Sequence, residues 1–167
     1  MKQIPLSKGK VATVDDADFE WLNQWKWTAI ACGRTRKFFY AYRYPGTRNK
    51  RKLVLMHRVI ARASESEMVD HRDLDTLNNQ RSNLRICTRS QNNHNCRVKK
   101  NNKAGIKGIH FEKDSQKWIA EICVNYRRIK LGRFSDPLKA SQAYDKACEK
   151  YFGDFARTNK SLTPCQQ

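Results

Sequence analysis

Residues 68–95 read M-V-D-H-R-D-L-D-T-L-N-N-Q-R-S-N-L-R-I-C-T-R-S-Q-N-N-H-N. A carboxylate, Asp70, stands directly before an imidazole, His71, and two side-chain amides, Asn83 and Asn92, follow. Fewer than thirty residues therefore hold a hard anionic ligand, a group that titrates near neutral pH and amide oxygens.

The same stretch predicts a β-hairpin followed by a helix. Residues 68–69 end a short strand, 73–82 form a polar loop and 84–87 alternate as a second strand. Thr88 is a suitable N-cap for a helix over 90–98. Folding this segment back on itself would bring Asp70, His71 and Asn92 around one cavity.

These side chains have the chemistry that phosphodiester cleavage requires. A neutral histidine can take a proton from water, and a divalent cation can stabilise charge on the phosphate and the leaving oxygen. Asp70 and Asn92 offer hard oxygen donors, which suit Mg²⁺ or Mn²⁺ and not Zn²⁺. Each residue taken singly is better explained as a surface ion pair or a turn residue, so the indication rests on their joint spacing.

The stretch resembles the HNH (ββα-metal) nuclease motif in the form found in phage and intron homing endonucleases. The segments that carry the resemblance are V-D-H (69–71), N-N-Q-R-S-N-L-R (78–85) and T-R-S-Q-N-N-H-N (88–95). The resemblance implies that Asp70 and Asn92 bind the metal, that His71 is the general base and that Asn83 orients His71. His94 is the alternative metal ligand, because a helix turns positions 92 and 94 about 200° apart and only one can face the metal.

The charge of the chain indicates a polyanionic partner. The 167 residues include 34 Lys and Arg against 16 Asp and Glu, a net charge of +18. Residues 1–96 carry 18 basic and 9 acidic side chains and residues 97–167 carry 16 and 7, so each part has a net charge of +9. Both parts are therefore expected to face phosphate.

The absence of targeting signals in the sequence and the spacing of its cysteines both indicate a cytoplasmic protein. No stretch is apolar enough to span a membrane, and the first residues lack a signal-peptide core. The 6 cysteines show no C-x-x-C spacing, so structural zinc is not expected and reduced thiols are. We expect a cytoplasmic protein, in the host-cell cytoplasm if the chain is phage-encoded.

The N-terminal part predicts an antiparallel sheet that leads into the hairpin of the HNH-like stretch. The predicted elements are a hairpin over 4–14, a short helix over 15–24, strands over 25–30 and 38–43 around a turn at 33–35, and a strand running into a helix over 53–62. Trp25 and Trp27 are expected on one strand face. The basic loop 45–52 is interpreted as a phosphate contact, and His57 as a structural or DNA-facing histidine.

Residues 105–159 form a second organised unit. Strands are predicted over 108–111, 117–124 and 128–132, with a tight turn at 125–126. A helix is predicted to start at Asp136-Pro137 and to end at Gly153, with an apolar stripe formed by Leu138, Ala140, Ala143, Tyr144, Ala147 and Tyr151. Packing one helix on this sheet leaves the other sheet face free.

This second unit resembles the AP2 DNA-binding domain. The resemblance rests on G-I-K-G-I (105–109), K-W-I-A-E-I (117–122), L-G-R-F (131–134), K-A-S-Q-A-Y-D-K-A (139–147) and F-G-D-F-A-R-T-N (152–159). It implies that the sheet lies in the major groove of double-stranded DNA. The residues it places there are Lys107, His110, Glu112, Glu121, Arg128 and Lys130.

Together these features predict an α+β protein with an HNH nuclease domain over 1–96 (ββα-metal core about 53–96), a basic linker over 97–104, an AP2-like domain over 105–160 and a tail over 161–167. The predicted function is a site-directed, metal-dependent DNA endonuclease that nicks in preference to cutting both strands. The chain is expected to act as a monomer on an asymmetric site, because it shows one catalytic set and no heptads. The alternative is a DNA-binding transcriptional regulator with an idle HNH-like scaffold, and an RNA-binding role is less well supported.

Overall fold

A computed structural model describes residues 1–33, 37–45, 53–98, 102 and 104–160. The chain divides into two compact units, Met1–Asn92 and Asn93–Gln167. The predicted linker over 97–104 begins inside the second unit, and residues 99–101 and 103 of it lie outside the described residues.

The first unit is a mixed α+β body of small antiparallel sheets and short helices. Its elements are β1 (Lys2–Pro5), a 3-10 turn (Ser7–Gly9), β2 (Val11–Val14), α1 (Asp16–Asn23), β3 (Thr28–Cys32), β4 (Phe38–Arg43), β5 (Val54–Leu55), α2 (Met56–Ile60), β6 (Met68–His71), β7 (Leu84–Cys87) and the first part of α3 (Arg89–His94), whose last two residues belong to the second unit. Strands β1 and β2 pair with each other, β3, β4 and β5 form a second sheet, and β6 pairs with β7. The predicted N-terminal hairpin, β4 and the strand-to-helix passage at 53–62 are confirmed.

One apolar core holds these pieces together. Its buried members come from nearly every element: Ile4, Leu6, Ala12, Val14, Leu22, Trp27, Ala29, Ala41, Met56, Ile60 and Leu84. Burying a large apolar side chain contributes roughly 1.5–3 kcal/mol, so the shared core is what joins the sheets. Leu84 belongs to this core, which fixes β7 and with it the β6–β7 hairpin.

The prediction that Trp25 and Trp27 lie on a strand is wrong, because β3 begins only at Thr28. Trp27 is buried and donates its indole N–H to the carbonyl of Leu22 at 2.9 Å, and the Arg43 guanidinium lies 4.1 Å from the Trp25 ring centre. Tertiary contacts therefore override the strand propensity of this aromatic segment. The predicted turn at 33–35 and basic loop at 45–52 fall largely outside the described residues.

The segment after β7 forms a shorter helix than predicted. α3 begins at Arg89 and ends at His94, whereas the sequence predicts 90–98. Thr88 caps it as predicted, since its Oγ1 accepts a hydrogen bond from the Gln91 amide at 3.2 Å and the Gln91 side chain accepts one from the Thr88 amide at 2.8 Å. This reciprocal pair is a capping box, which fixes where the helix starts.

The second unit packs one helix on a three-stranded antiparallel sheet. Its elements are β8 (Ile109–Glu112), β9 (Lys117–Val124), β10 (Arg127–Phe134), α4 (Pro137–Phe152) and a 3-10 turn (Gly153–Phe155), with strand order β10-β9-β8. Asn125 and Tyr126 both have positive φ, as a tight hairpin turn requires. Asp136 caps α4 through a bond from the Leu138 amide at 2.8 Å.

The core of the second unit lies between α4 and one face of the sheet. Ile109, Ala120 and Ile122 from the strands meet Ala140, Tyr144, Ala147 and Cys148 from the helix. Gly108 has φ +70°, and a Cβ there would lie 1.8 Å from the Tyr144 ring, so the close approach requires glycine. The prediction of the apolar stripe on α4 is wrong for two residues, since Leu138 is 63% exposed and Tyr151 is 40% exposed.

No helix of the described residues is long and apolar enough to cross a membrane. The cysteines that the structure describes, Cys32, Cys87, Cys96, Cys123 and Cys148, are free thiols.

Candidate active site

His71 lies at the end of β6, where the hairpin ladder closes on the pair His71 and Leu84. The side chain is 4% exposed, and its Nε2 lies 3.3 Å from Oδ1 of Asn79, which is itself fully buried. The Asn79 amide donates to the carbonyl of Leu77, which orients Oδ1 toward the imidazole. A neutral ring with its proton on Nε2 would donate to this oxygen.

Two aromatic rings pack around His71. The ring centre of His57 lies 5.2 Å from that of His71, and Tyr40 lies 4.9 Å from His57 and 6.0 Å from His71. Burial lowers the pKa of His71, although the Asn79 bond and the nearby carboxylates act in the opposite direction. Burial, together with the charge of His71, lowers the pKa of His57 to about 3. Both rings are therefore neutral at neutral pH.

Asp70 faces away from this aromatic cluster. Strand alternation turns neighbouring side chains to opposite faces of the hairpin, so Asp70 shares a face with its cross-strand partner Arg85. Arg85 places Nη2 2.6 Å and Nε 2.8 Å from the same oxygen, Oδ2 of Asp70. The carboxylate is 4% exposed and the guanidinium 10% exposed, so this is a buried ion pair.

The loop between β6 and β7 is held by its own side chains. Asn83 donates to Oδ1 of Asp73 at 2.9 Å and to the carbonyl of Asn78 at 2.8 Å, and its Oδ1 accepts from the Asp73 amide at 3.0 Å. Asp73 also accepts from the Asp75 amide and from the Asn78 side chain. Asn83 therefore ties the loop together, and the side chain that bonds the His71 ring is Asn79.

This loop is also anchored to the N-terminal hairpin and α1. The backbone N–H of Asn79 donates to the carbonyl of Thr13 at 2.7 Å, and the backbone N–H of Thr13 donates to the carbonyl of Leu77 at 2.9 Å. Arg81 forms a two-pronged bond with Asp18, with both N···O distances at 2.7 Å. The Arg81 bond lowers the pKa of Asp18, which is 1% exposed. The position of His71 is thus fixed by the whole first unit.

Asn92 and His94 have different surroundings. Asn92 is half-buried in α3, the helix that follows β7. His94 belongs to the second unit, where its ring stacks on Phe152 with centres 3.6 Å apart and an angle of 14°. Stacking covers a face of the His94 ring and leaves its in-plane nitrogens able to bind a metal, so Asn92 and His94 both remain candidates for the second ligand.

The donor set fits a hard divalent cation with few protein ligands. Asp70 would supply a carboxylate and Asn92 an amide oxygen, and Mg²⁺ is commonly held by one or two such groups together with water and phosphate. Within the described residues no group of three or more His, Cys, Asp or Glu is placed to hold a metal ion. A metal at Asp70 would bind a carboxylate whose Oδ2 already accepts two short bonds from Arg85.

The second unit presents the charged face that the sequence predicts. The pairing of β8, β9 and β10 places His110, Glu112, Glu121, Arg128 and Lys130 on the sheet face opposite α4. Arg128 lies 3.5 Å from Glu121, and Arg133, which the sequence prediction missed, lies 3.5 Å from Glu112. Bonding to Ser115 lowers the pKa of Glu112.

Lys107 does not fit the predicted role on DNA. Its side chain is 9% exposed, and its ammonium donates to the carbonyls of His94, Cys96 and Arg157 at 3.1–3.3 Å. An ammonium engaged by carbonyls in this way stabilises the fold. We therefore leave Lys107 out of the candidate DNA interface.

Comparison with known proteins agrees with the geometry of the first unit. Residues 54–94 match the family model described as HNH endonuclease. The chain is also 34% identical, over 92 residues, to the uncharacterized HNH endonuclease L560 of Acanthamoeba polyphaga mimivirus. The aligned part covers 55% of this chain and 46% of the relative, so the chain spans about half the length of the curated relative that it matches. These matches support an HNH endonuclease domain, and through it a nuclease.

Sequence reasoning missed two residues of this site. Asn79 stands in a run of amides, N-N-Q-R-S-N, and sequence alone does not say which amide meets His71. Arg85 was read as an ordinary strand residue, but its position directly opposite Asp70 follows from the hairpin register. Pairing the two predicted strands residue by residue would have found Arg85.

Proposed function

We propose that this protein is a site-directed, metal-dependent DNA endonuclease of the phage-type homing class. The first unit hydrolyses a phosphodiester, and the sheet face of the second unit, which is AP2-like, docks on duplex DNA. The observation that carries the proposal is the buried His71, whose Nε2 lies 3.3 Å from Oδ1 of the buried Asn79, at the end of the strand that also carries Asp70.

The histidine is prepared for general-base chemistry. Asn79 orients the ring through Nε2, and the neutral imidazole of His71 takes a proton from a water molecule as the water oxygen attacks phosphorus. The Tyr40 and His57 rings limit how far the imidazole can turn. Asn83 contributes indirectly, by holding the loop that carries Asn79.

Asp70 and Asn92 would hold the cation, Mg²⁺ or Mn²⁺. When bound, the cation would stabilise negative charge on the phosphate and on the leaving oxygen. As the P–O bond breaks, the leaving oxygen stays on one side of the cut as a hydroxyl. The phosphate stays on the other side of the cut.

Basic side chains supply affinity, and the sheet supplies part of the selectivity. Arg128 and Lys130 are exposed on one face together with His110, and such a face can offer both phosphate contacts and base contacts. We propose a monomer on an asymmetric site, with nicked circles as the first product.

A DNA-binding regulator with an idle HNH scaffold is the second candidate. The observation that favours it is the Asp70–Arg85 ion pair, which occupies the carboxylate that a metal would need. The two candidates differ in one measurable property, cleavage.

A cleavage assay decides between them, in which supercoiled plasmid carrying the target DNA is incubated with and without Mg²⁺. The nuclease proposal expects cleavage with Mg²⁺, and it expects His71→Ala to lower the rate by about 10²–10⁴-fold with DNA affinity nearly unchanged. Binding without cleavage by the wild-type chain in Mg²⁺ and Mn²⁺ would instead establish the regulator. Equal loss of binding and cleavage in His71→Ala would make His71 a structural residue.

A further inference from the structure

One arginine of the first unit is held between aromatic rings at the end of a strand. Arg43 is the last residue of β4, and its guanidinium carbon lies 4.1 Å from the centre of the Trp25 ring and 5.7 Å from that of the Trp27 ring. Both distances are within the range of cation–π attraction. The two rings therefore restrict how the guanidinium can move.

The two tryptophan rings are themselves anchored to α1. The Trp27 ring is buried, and its indole N–H donates to the carbonyl of Leu22 at 2.9 Å. Trp25 packs edge-on against Trp21 with ring centres 6.1 Å apart, and the Trp21 indole N–H donates to the buried carboxylate of Asp18 at 3.0 Å. The position of the guanidinium is thus fixed before any ligand binds, which lowers the entropic cost of binding.

The guanidinium of Arg43 lacks the carboxylate partner that two other arginines of this unit have. Arg81 pairs with Asp18, and Arg85 pairs with Asp70. Among the residues that the structure describes, no carboxylate lies within ion-pair distance of Arg43. The residues outside the described ranges include no Asp or Glu. The charge of Arg43 is therefore available to an anion from outside the chain.

The nitrogen atoms of Arg43 differ in their access to solvent. Nε is buried and has no hydrogen-bond partner, which is rare enough in folded proteins to need an explanation. The terminal nitrogens Nη1 and Nη2 are neither bonded within the described part of the chain nor buried, so they face solvent. This outer edge of a guanidinium carries parallel N–H groups that match two oxygens of a phosphate.

We propose that Arg43, held against Trp25 and Trp27, binds a backbone phosphate of duplex DNA through Nη1 and Nη2. The inference rests on the proposed function, because it takes DNA as the ligand, and it adds a contact that this function does not include. The net charge of +18 favours a polyanion over a small neutral ligand.

The proposed phosphate site lies outside the catalytic set. Strand alternation places Arg43 on the opposite face of the sheet from Tyr40, whose ring centre lies 6.0 Å from that of His71. Arg43 is therefore a docking residue. It sets the affinity for DNA and not the cleavage rate of the bound complex.

Binding of a short fluorescent duplex to the full chain, measured by anisotropy in EDTA, tests the site. Arg43→Gln keeps a planar end group and removes the charge. We expect it to weaken duplex binding about tenfold or more and to reduce the salt dependence by roughly one unit of slope. The matched control is Lys26→Ala, which removes one charge from an exposed position between the two tryptophans in sequence. Equal losses in both variants would reduce Arg43 to general charge and overturn the site.

Arg43→Lys is the second variant, because it keeps the charge and loses the planar fork. We expect it to restore the salt slope but not the affinity, and wild-type affinity would overturn the proposed two-nitrogen contact. Urea unfolding of each variant measures stability separately. A lower unfolding midpoint with unchanged duplex affinity in Arg43→Gln would make Arg43 a structural residue and overturn the proposal.

Trp25→Leu tests whether the ring positions the guanidinium. If Trp25 acts through Arg43, this change should weaken duplex binding in the wild-type chain and have no further effect in the Arg43→Gln background. Additive losses would show that the ring acts independently of Arg43 and would overturn its positioning role.

Inorganic phosphate, titrated at constant ionic strength and followed by tryptophan fluorescence, distinguishes a free anion from the DNA backbone. We expect no saturation at millimolar phosphate. Saturation that Arg43→Gln abolishes would assign the site to free phosphate and overturn the DNA assignment. Failure of the nuclease proposal is seen separately, as absence of plasmid cleavage by the wild-type chain, because the binding assay contains no metal.

Discussion

His57 shows how much a single buried ring can shape the chemistry of this site. It is 6% exposed, and its Nδ1 has no hydrogen-bond partner in the structure. A buried polar atom without a partner costs about 1–3 kcal/mol. The ring is retained between Tyr40 and His71, where an apolar side chain would also fill the space.

The first prediction concerns pH and His57→Phe. A histidine whose pKa falls from 6.5 to about 3 on folding binds fewer protons when folded than when unfolded. The free energy of unfolding should therefore fall as pH drops below about 6.5, by about 2 kcal/mol at pH 5 from this residue. His57→Phe keeps the ring and removes the titration, so urea unfolding across pH 4–7 should show a shallower decline. Identical pH profiles for both proteins would contradict this account.

The second prediction concerns the partner of His71. Asn79→Ala removes the acceptor for Nε2 and leaves the imidazole free to change tautomer and orientation. Misplacement of a reacting group can lower the rate by about 10²-fold, so plasmid cleavage should slow to this extent while duplex affinity holds. Some loss of stability, about 1–3 kcal/mol, is also expected because Asn79 is fully buried. A wild-type cleavage rate in this variant would remove Asn79 from the site.

At the scale of secondary structure, α3 is the weakest part of the proposed site. It has only 6 residues, and helices this short need help from caps and packing. The capping box of Thr88 and Gln91 provides that help at the end of the helix nearest β7. Since Asn92 lies on this helix, its placement depends on the cap.

The third prediction follows from that dependence. Thr88→Ala should destabilise the protein by about 1 kcal/mol and raise the Mg²⁺ concentration needed for half-maximal cleavage. Thr88→Ser keeps the hydroxyl and is the matched control. The Mg²⁺ titration is the deciding measurement, because a purely structural role of Thr88 would lower the unfolding midpoint without moving the Mg²⁺ requirement.

Strands could be predicted from the sequence where side-chain alternation, intrinsic propensity and the flanking turn residues all indicate the same structure. β4, β7 and β9 have their predicted bounds, since alternation, propensity and turn residues all favour the same structure there. β3 could not be placed, because Trp27 bonds to the carbonyl of Leu22 and Trp25 packs against Arg43 of β4, and these contacts hold the tryptophans outside the strand. The burial of Lys107 could not be predicted either, because its carbonyl partners come from both ends of the second unit.

For the whole molecule, the net charge of +18 is the dominant property. Neutralising phosphates releases counterions, so DNA binding should weaken steeply as salt rises. Both units carry basic side chains, and the sheet face of the second unit concentrates Arg128, Lys130 and Arg133.

The fourth prediction distinguishes the contribution of this sheet face to DNA binding from that of the overall positive charge. Arg128→Ala or Lys130→Ala should weaken target binding by about 1–3 kcal/mol if the residue reads a base. A phosphate contact would instead lower affinity on all sequences and reduce the salt slope by roughly one. Lys146→Ala is the matched control, an exposed lysine on α4 and therefore not on this face. Equal effects from all three variants would show that the sheet face has no special role.

The fifth prediction concerns product order. A chain with one active site hydrolyses one phosphodiester bond at a time. Limiting enzyme should therefore release nicked circles before linear DNA. Gel analysis of supercoiled plasmid over time measures this directly. Linear DNA without a nicked precursor would indicate that two copies act together on the target.

The carbonyl groups around the Lys107 ammonium bear on where the second unit could be cut and grafted onto another protein. A recombination joint placed after Ala104 would transfer the sheet and α4 but leave behind the carbonyls of His94 and Cys96, which hold the buried ammonium. The transplanted unit would keep the Arg157 carbonyl and lose the other two, which leaves the buried ammonium poorly compensated in its new host protein. A joint at Asn93 would carry all of these carbonyls along, so grafts that begin there should inherit the stability of the unit intact.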